Sequence, residues 1–418
     1  MPKVIHIVRR FTFDEWGGTE NVVWNTALQQ RAMGVDASIF ATAALSSTME
    51  EVRDGVSIRR FDYFYPYFPM PAQTRLDLDK KGGNPFCRKL FDAIEHEGAD
   101  ILHVHSGGRL AQMACALARK MHIPCLMSLH GGFADVPQSE LQNMLKPVKG
   151  KFNYGGIFDR IAGLKKDLMK AMDAVICVGR HEKELLKADY PEQFIEYLPN
   201  GIDIQKFERT YPVSPRREWN IPEDRTLLLV ISRIDYQKNQ KLALELLARE
   251  KNTHLLLVGP VTSEWYRDEI IARAKELNVA DRLTIIPGLP PDDPRLVQIL
   301  HDADVFIIPS LHEPFGIVAL EAWASGLPVI ASNVGGLKDF IVPERNGLLF
   351  SPDSPESLQQ AFHRLTDTPG LAKTLADNAH KDVAAYSWPN VANRLMEIYN
   401  RLMSRNQAGN SPNPQGDV

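Results

Sequence analysis

Two carboxylates with the spacing to contact a polar ligand, Glu313 and Glu321, are separated by seven residues in the segment Pro309-Ser-Leu-His-Glu-Pro-Phe-Gly-Ile-Val-Ala-Leu-Glu321. The apolar run 303–309 before them is predicted to be a buried parallel strand, and Gly316 to Ser325 the helix that follows it. Because ligands of open α/β sheets bind at the carboxyl ends of strands, we expect Glu313 on a binding loop and Glu321 in the second helical turn. The alternative is a helix-start acid favoured by the macrodipole and a solvated surface charge.

The start of this helix offers a second kind of contact. Its first backbone amides have no intrahelical acceptor and suit a phosphate; here they belong to Phe315, Gly316 and Ile317. One elongated ligand could then contact Glu313 near its phosphate end and Glu321 deeper along the helix. A sugar joined to a nucleotide fits this description.

Two cations, Arg233 and Lys238, follow another apolar run in Val230-Ile-Ser-Arg-Ile-Asp-Tyr-Gln-Lys238. Arginine offers a planar fork to phosphate oxygens and lysine a mobile point charge, so together they could neutralise a diphosphate leaving group without a metal. Two solvated loop cations are the alternative. The glutamate segment elsewhere in the same half favours the binding role.

Weaker signals follow predicted strands of the first half. Gly17 and Gly18 would let main-chain amides approach a phosphate or sugar, although any tight strand-to-helix turn also uses glycine. His130, in Met127-Ser-Leu-His130-Gly-Gly-Phe133, could polarise a substrate hydroxyl or be a hydrogen-bonded structural residue.

A histidine pair, His103 and His105, alternates along one predicted strand and would share a face of it. Such a pair suggests metal ligands, but the spacing supplies neither a third nor a fourth ligand. The sequence therefore predicts no metal site.

Short apolar runs alternate with amphipathic stretches, and the pattern occurs twice, as in two doubly wound domains with parallel sheets. The predicted strands are 4–8, 37–41, 101–104, 125–129 and 174–178 in the first half, and 227–231, 254–258, 283–286, 305–308 and 329–331 in the second. Turn signals in Leu198-Pro-Asn-Gly-Ile-Asp203 mark the boundary between the halves.

Composition limits the class of protein. The chain has 418 residues, 44% hydrophobic and 24% charged, which suits two soluble globular domains. No apolar run approaches the ~20 residues of a membrane span, and no signal peptide is visible, so we expect a cytoplasmic protein. A formal net charge of −4 argues against nucleic acid as a partner. Four scattered cysteines predict free buried thiols.

These motifs together resemble the retaining glycosyltransferases of the large GT4 family. The resemblance rests on the glycine turn, His130, the pair of Arg233 and Lys238, and Glu313-Pro-Phe-Gly-Ile-Val-Ala-Leu-Glu321, and it spans nearly the whole chain. It implies the GT-B fold: two Rossmann-like domains facing across a cleft, with a C-terminal helix crossing back to the first. We expect an acceptor-binding domain over 1–203 completed by a helix over 388–405, a donor-binding domain over 204–387, and a disordered tail over 406–418.

The resemblance also implies a role for each site residue. Arg233 and Lys238 would bind the diphosphate and Glu321 the ribose hydroxyls, while His130 would contact the transferred sugar near the reacting carbon. The remaining donor contacts would come from Glu313 with Phe315, Gly316 and Ile317 to sugar and phosphates, from Gly17 and Gly18 to the donor phosphate, and from Pro287, Gly288 and Leu289 to the base. Ser232 stands where the family often has glycine.

The reaction implied is transfer of a hexose-type sugar from a nucleotide-diphosphate sugar to an acceptor hydroxyl, with configuration retained. In this mechanism the leaving diphosphate helps to deprotonate the acceptor, and neither a metal nor another cofactor is expected. Surface polysaccharide or glycoconjugate biosynthesis is a role by analogy.

Two rival functions remain open: a sugar-nucleotide epimerase of the same fold, and a non-catalytic sugar-nucleotide-binding partner subunit. The glutamate pattern argues against the first, and a subunit kept only for binding would not need all the site residues. A nicotinamide oxidoreductase is disfavoured because no Gly-x-Gly-x-x-Gly run follows the first strand.

The acceptor is a glycan, a lipid-linked molecule or a small molecule, and the sequence does not choose among them. An aromatic run from Phe61 to Pro71 and a lysine-rich stretch leave a peripheral contact with the inner face of the membrane open. The lysines are Lys146, Lys149, Lys151, Lys165, Lys166 and Lys170. Donor base, donor sugar and oligomeric state are undetermined.

Overall fold

The computed structural model describes residues 1–14, 17–80, 82–105, 107–131, 146–161, 163–164, 167–290 and 292–410, with side chains as far as 406. The chain divides into two compact units. Unit 1 holds Met1–Pro199 and the final helix, and unit 2 holds Asn200–Ser387. The structure thus places the division at 199/200, four residues before the predicted 203/204.

Unit 1 is built on a mostly parallel sheet. Its strands are β1 Lys3–Arg10, β2 Asp36–Thr42, β3 Glu50–Arg53, β4 Val56–Phe61, β6 Ile101–Val104, β7 Cys125–Leu129, β9 Ala174–Cys177 and β10 Ile195–Tyr197, and a separate antiparallel pair consists of β5 Tyr67–Phe68 and β8 Phe152–Asn153. The order in the sheet is β10-β9-β7-β6-β1-β2-β4-β3. The chain order reverses direction between β1 and β6, so ligands are expected at their carboxyl ends.

The helices of unit 1 lie between these strands, and one more returns from the end of the chain. They are α1 Gly18–Ala32, α2 Ala72–Lys80, α3 Arg88–Glu97, α4 Arg109–Met121, α5 Gly155–Ile161, α6 Leu168–Ala171 and α7 Arg180–Asp189, with a 3₁₀ turn at Lys146–Val148 and the final helix α17 Trp388–Asn410.

Apolar side chains fill both faces of the first sheet because its strands are apolar on both sides. On one face, Ile5, Ile7 and Val104 pack among residues of the α3 and α4 helices. On the other face, Val4 and Val8 pack with α1 and with apolar residues of α17. The α17 residues are Trp388, Val391, Leu395, Ile398, Tyr399 and Leu402. The final helix is therefore part of the core of unit 1.

Unit 2 has a second parallel sheet. Its strands are β11 Thr226–Ile231, β12 Thr253–Val258, β13 Leu283–Ile286, β14 Val305–Ile308, β15 Val329–Ser332 and β16 Leu348–Phe350. The order β13-β12-β11-β14-β15-β16 is the doubly wound order in which the first and fourth strands of the domain are neighbours. Its switch point lies between β11 and β14.

Helices cover both faces of the second sheet. They are α8 Ile204–Glu208, α9 Pro215–Glu218, α10 Gln240–Arg249, α11 Glu264–Glu276, α12 Pro294–Asp302, α13 Ile317–Ala324, α14 Leu337–Phe340, α15 Pro355–Asp367 and α16 Leu371–Asp382, with 3₁₀ turns at Tyr236–Lys238, Ala280–Arg282 and Val383–Tyr386. The strands β11, β12 and β14 are almost completely buried, as their continuous apolar runs predict.

Every strand predicted from the sequence is present, which confirms the α/β class with two parallel sheets. The strands β3, β4, β10 and β16 were not predicted, and neither was the β5 and β8 pair. The structure shows α17 continuing to Asn410, and residues 411–418 of the predicted disordered tail lie outside the described part. All four cysteines are buried and free, as expected. Within the described residues, no helix has the length and apolar character to cross a bilayer.

Candidate active site

The loop after β11 carries the two predicted cations of unit 2. Asp235 shapes it, because its Oδ1 accepts a hydrogen bond of 3.0 Å from the Gln237 amide and caps the 3₁₀ turn that ends at Lys238. Arg233 is 43% exposed and lies 3.9 Å from the Asp235 carboxylate. The arginine fork is therefore open to an anion at the carboxyl end of β11.

The loop after β14 brings Glu313 against Lys238. The Lys238 Nζ lies 2.6 Å from Glu313 Oε2, and the same oxygen accepts a hydrogen bond of 3.1 Å from Ser310 Oγ. Only 16% of the lysine and 12% of the glutamate side chain are exposed. The two predicted residues thus meet at the switch point of the second sheet.

A pair of glycines that the sequence reasoning missed holds this loop. Gly336 donates a backbone hydrogen bond of 2.9 Å to the Glu313 carbonyl. A Cβ on Gly335 would lie 2.1 Å from that carbonyl oxygen, and one on Gly336 would lie 2.2 Å from the Pro314 oxygen. Side chains cannot fit here, so the turn after β15 packs directly on the Glu313 loop. The signal was the dipeptide itself, following a predicted strand.

The helix α13 begins directly after this loop. Gly316 precedes it with φ of 96°, in the left-handed region that favours glycine. The Phe315 ring is buried against Phe340, with centroids 5.3 Å apart, so Phe315 offers a ligand its backbone and not its ring. Any phosphate contact at this helix start would therefore come from the main-chain groups of Phe315, Gly316 and Ile317.

Glu321 lies in the second turn of α13, as predicted. Burial raises the pKa of its carboxyl to about 7, although the Lys206 ammonium opposes the shift. Its carboxylate makes no hydrogen bond to residues in the described part of the chain. A carboxylate held in this way is ready to accept hydroxyl protons from a ligand.

The loops after β12 and β13 complete this edge of unit 2. A Cβ on Gly259 would lie 1.9 Å from the Ser232 carbonyl oxygen, so the two loops touch through backbone. Ser232 is accommodated because its Oγ accepts a hydrogen bond of 2.9 Å from Gln240 Nε2. Pro287, Gly288 and Leu289 follow β13, which is separated from β11 by β12. The predicted base contact therefore lies on the same sheet edge.

In unit 1, the predicted glycine turn follows β1. Gly17 has an extended backbone, its carbonyl accepts the Asn21 amide at 3.0 Å, and α1 begins at Gly18. A Cβ on Gly17 would lie 2.9 Å from Glu20 Oε2, whereas one on Gly18 would meet none of the described residues within 4 Å. Glu15 and Trp16 of this turn lie outside the described residues.

His130 lies directly after β7, at the carboxyl edge of the same sheet. Its Nε2 is 3.0 Å from His105 Nδ1, while its Nδ1 is buried and has no hydrogen-bond partner among the described residues. Burial lowers the pKa of the imidazole to about 4, so the ring is neutral near pH 7. Phe133 and the other residues of 132–145 lie outside the described part.

The neighbouring strand supplies a third imidazole beside His103 and His105. The spacing in the sequence suggested no third metal ligand, and the structure corrects this. His6 is in register with His103, and one ring nitrogen from each of His6, His103 and His105 lies within 4.8 Å of the others. Each of these nitrogens already faces a protein hydrogen-bond partner. Their lone pairs and protons are thus used within the protein, and we describe the cluster as a hydrogen-bonded network.

Comparison with known proteins agrees with this architecture. The family profile described as "Glycosyltransferase Family 4" matches residues 16–206, and the one described as "Glycosyl transferases group 1" matches residues 214–382. An uncharacterized glycosyltransferase of Methanocaldococcus jannaschii is 31% identical over 58% of this chain and 67% of its own. A D-inositol 3-phosphate glycosyltransferase of Rhodococcus jostii is 27% identical over 95% of this chain and 87% of its own.

Solved structures show the same fold. HepE of Anabaena in complex with UDP-glucose superposes with a TM-score of 0.69 at 18% identity, covering 96% of this chain and 100% of that one. The two sheets and these matches define a glycosyltransferase of the GT-B fold. The chain belongs to glycosyltransferase family 4. Its carboxyl-terminal part matches the profile described as glycosyl transferases group 1.

Proposed function

We propose that this glycosyltransferase is a retaining hexosyltransferase that uses a nucleotide-diphosphate sugar. The observation that carries the proposal is the contact of Lys238 with Glu313 at the switch point between β11 and β14, beside the open Arg233. A sugar nucleotide has an anionic diphosphate and a hydroxyl-rich sugar next to each other. A cation pair beside a carboxylate matches both parts.

The donor would lie along the carboxyl edge of unit 2. Arg233 and Lys238 would neutralise the diphosphate, and the first amides of α13 would add dipolar contacts. Glu321 would accept hydrogen bonds from the ribose hydroxyls, and Pro287–Leu289 would face the base. The UDP-glucose bound by HepE of Anabaena supports a ligand of this class.

The proposed reaction breaks the bond between the anomeric carbon and the β-phosphate oxygen and forms a bond from the acceptor oxygen to that carbon on the same face. The proton of the acceptor hydroxyl passes to the departing phosphate oxygen. The two cations stabilise the charge on that oxygen as it leaves, which is the role that a metal has in other transferases. We therefore propose that turnover needs no metal.

On the acceptor side, we propose a lipid-linked or glycan acceptor of a surface polysaccharide or glycoconjugate, used at a membrane surface. Exposed apolar side chains of unit 1 support this. Phe68 and Phe152 are paired across β5 and β8 and are 69% and 68% exposed, and Ile157 and Ile161 of α5 are 60% and 79% exposed. Lys146 and Lys149 are exposed on the adjoining segment, where they suit anionic headgroups. Lys165 and Lys166 lie outside the described residues.

Donor binding tests the first proposal. We would measure thermal shift and calorimetric binding against UDP, GDP, ADP and dTDP with their common sugars, with and without EDTA. The expected result is binding of one sugar nucleotide that is insensitive to EDTA and is lost in Lys238→Ala. Lys241→Ala is the matched control, because this lysine also forms an ion pair, with Glu269 at 2.9 Å, but lies on the exposed surface.

Turnover distinguishes the proposed reaction from its rivals. Consumption of the bound donor should require an added acceptor and yield product with the anomeric configuration of the donor. Conversion without an acceptor would indicate an epimerase, and binding without any conversion would indicate a partner subunit.

Sedimentation with vesicles tests the membrane contact. Binding to vesicles containing anionic lipid should exceed binding to neutral vesicles and should weaken in Ile161→Ser and Phe152→Ser. Equal recovery of these variants and of the wild-type protein would contradict this part of the proposal.

A further inference from the structure

A chain of hydrogen bonds runs beneath the carboxyl edge of the first sheet and ends at His130. It links rings from three neighbouring strands: His6 on β1, His105 directly after β6 and His130 directly after β7. The His6 Nδ1 is 2.8 Å from His105 Nε2, and His105 Nδ1 is 3.0 Å from His130 Nε2. The other end is fixed by Gln30 of α1, whose Oε1 is 2.7 Å from His6 Nε2.

The three rings are neutral near pH 7. Burial lowers the pKa of His6 and His130 to about 4 each, and burial with the neighbouring imidazoles lowers the pKa of His105 well below its usual value. A neutral imidazole has one N–H donor and one acceptor nitrogen. Each hydrogen bond in the chain therefore determines the direction of the next.

Gln30 sets that direction. Its Nε2 donates to the Tyr399 hydroxyl at 3.3 Å, so its Oε1 faces His6 and can only accept. His6 must then carry its proton on Nε2 and accept at Nδ1 from His105 Nε2–H. His105 in turn accepts at Nδ1 from His130 Nε2–H. The remaining nitrogen, His130 Nδ1, is left as a lone-pair acceptor.

The second branch of the network agrees with this orientation. Tyr399 accepts from Gln30 and therefore donates to His103 Nδ1 at 2.6 Å. His103 then donates from Nε2 to Ser128 Oγ at 2.7 Å. Both branches are satisfied with Gln30 in this orientation, and the branch through His6 and His105 takes its direction from the Gln30 amide.

We infer that Gln30, His6 and His105 are positioning residues that hold His130 in its Nε2–H tautomer, so that the buried Nδ1 accepts a hydrogen bond from a hydroxyl of the transferred sugar. That this hydroxyl belongs to a donor sugar rests on the proposed function, whereas the tautomer of His130 does not. The opposite tautomer would present an N–H, to which the same hydroxyl could be only an acceptor. The network therefore sets the direction of this hydrogen bond from a distance.

The tautomer can be measured without any substrate. In protein labelled with ¹⁵N-histidine, long-range proton–nitrogen correlation spectra distinguish protonated from bare ring nitrogens, and His130→Gln identifies the signals of His130. We expect Nδ1 of His130 bare and Nε2 protonated in the wild-type protein. A proton on Nδ1, or an equal mixture of the tautomers, would overturn the inference.

Variants of the two branches form a matched pair. Gln30→Met keeps the length of the side chain but removes the acceptor, so His130 should become a mixture of tautomers. Ser128→Ala changes only the end of the other branch and should leave the spectrum of His130 unchanged. An unaltered His130 tautomer in a folded Gln30→Met protein would refute the control by Gln30.

Donor analogues in which single hydroxyls are replaced by hydrogen provide the functional readout. One such analogue should lose about 3- to 10-fold in kcat/KM with the wild-type protein and with Ser128→Ala, and the loss should be smaller with Gln30→Met, in which part of the protein lacks the acceptor at His130 Nδ1. If the tautomer is as inferred but no sugar nucleotide binds, the proposed function fails while the proton arrangement stands.

Discussion

At the scale of single residues, the site of unit 2 depends on two carboxylates in different electrostatic settings. Glu313 is paired with Lys238 and receives the Ser310 hydroxyl, whereas Glu321 makes no hydrogen bond to the described residues and has a pKa raised to about 7 by burial. A paired carboxylate contributes to the shape of the loop, and an unpaired one is available to a ligand. Different tests follow for each.

The effects of Lys238 and Glu313 substitutions on the free energy of unfolding should be coupled, whereas restoring stability should not restore activity. Removing one partner leaves a largely buried charge alone, so Lys238→Met and Glu313→Gln should each cost about 2–4 kcal/mol in the free energy of unfolding. The double variant Lys238→Met/Glu313→Gln should recover much of that loss while remaining inactive. Urea unfolding and turnover assays measure the two effects. Additive losses in the double variant would show that the pair is not coupled.

Glu321 should make donor binding dependent on pH. Hydroxyl groups donate to the ionised carboxylate, so affinity should rise as the pH rises through about 7 and then level off. Between one unit below and one unit above that pKa the ionised fraction grows from about 9% to about 91%, giving a change of roughly tenfold in Kd. Calorimetry with an intact sugar nucleotide avoids titration of a terminal phosphate. Glu321→Gln should bind weakly at every pH, and a persistent slope in this variant would assign the effect elsewhere.

The same carboxyl should limit stability. The folded-state pKa lies above the unfolded value, so the fold favours the protonated form, and stability falls as the pH rises through the unfolded pKa toward about 7. Glu321→Gln removes this loss and should raise the free energy of unfolding by roughly 1–3 kcal/mol above pH 7, with little effect in acid. Urea unfolding at two pH values measures the difference. Equal stabilisation at both would contradict an origin in ionisation.

At the scale of elements, the geometry at the carboxyl edge of the unit 2 sheet comes from loops whose backbones are in direct contact. The turn after β15 packs on the loop after β14, and the loop after β12 packs on the one after β11. Close backbone packing leaves little freedom, so the positions of Arg233 and Glu313 are set by strands and not by the side chains themselves.

Replacing Gly335 or Gly326 by alanine tests whether backbone packing fixes the position of the Glu313 loop. Both have positive φ, 46° and 72°, but a Cβ on Gly335 would meet the Glu313 oxygen at 2.1 Å, whereas one on Gly326 would meet no described residue within 4 Å. Gly326→Ala should cost about 1 kcal/mol of stability and leave nucleotide binding intact. Gly335→Ala should cost more and weaken binding by about tenfold or more, because the Glu313 loop must move. Equal binding by the two variants would argue that the loop tolerates the shift.

The elements were largely predictable because their signals are local. Continuous apolar runs such as 254–258 predict buried parallel strands, and the order of motifs along the chain predicts which loops share an edge. Short strands such as β10 and β16 were missed because three residues carry too little pattern. His6 as the third imidazole, and Gln30 behind it, were missed because they meet His103 and His105 only through strand register and helix packing. The roles of the site residues remain predictions.

At the scale of the whole molecule, unit 2 is inserted between two parts of unit 1. Its two ends are neighbours, because Ile202 forms a bridge with Ser387 and its amide donates to the Tyr386 carbonyl at 2.9 Å. A unit whose ends meet and whose core is its own has the features of an independent domain. Unit 1 differs, since α17 supplies one side of its core.

The two units should therefore behave differently as fragments. Residues 200–387 should unfold cooperatively and bind the same sugar nucleotide as the full chain. Residues 1–199 lack the apolar side chains of α17, worth about 1.5–3 kcal/mol each when buried, a sum that rivals the whole stability of a domain. Circular dichroism and thermal unfolding should show a poorly folded fragment that a peptide of residues 388–410 restores. A stable 1–199 fragment would refute the dependence on α17.

The late position of α17 has a consequence for biosynthesis. While a ribosome makes this chain, residues 1–199 of unit 1 emerge first, yet the face of the sheet that receives Trp388, Leu395 and Tyr399 stays uncovered until unit 2 has been translated. During that interval nascent unit 1 carries an apolar surface, the kind of surface that chaperones bind and that promotes aggregation. Unit 2 must therefore be translated before the core of unit 1 can be completed, and Tyr399 joins the histidine network only after that point.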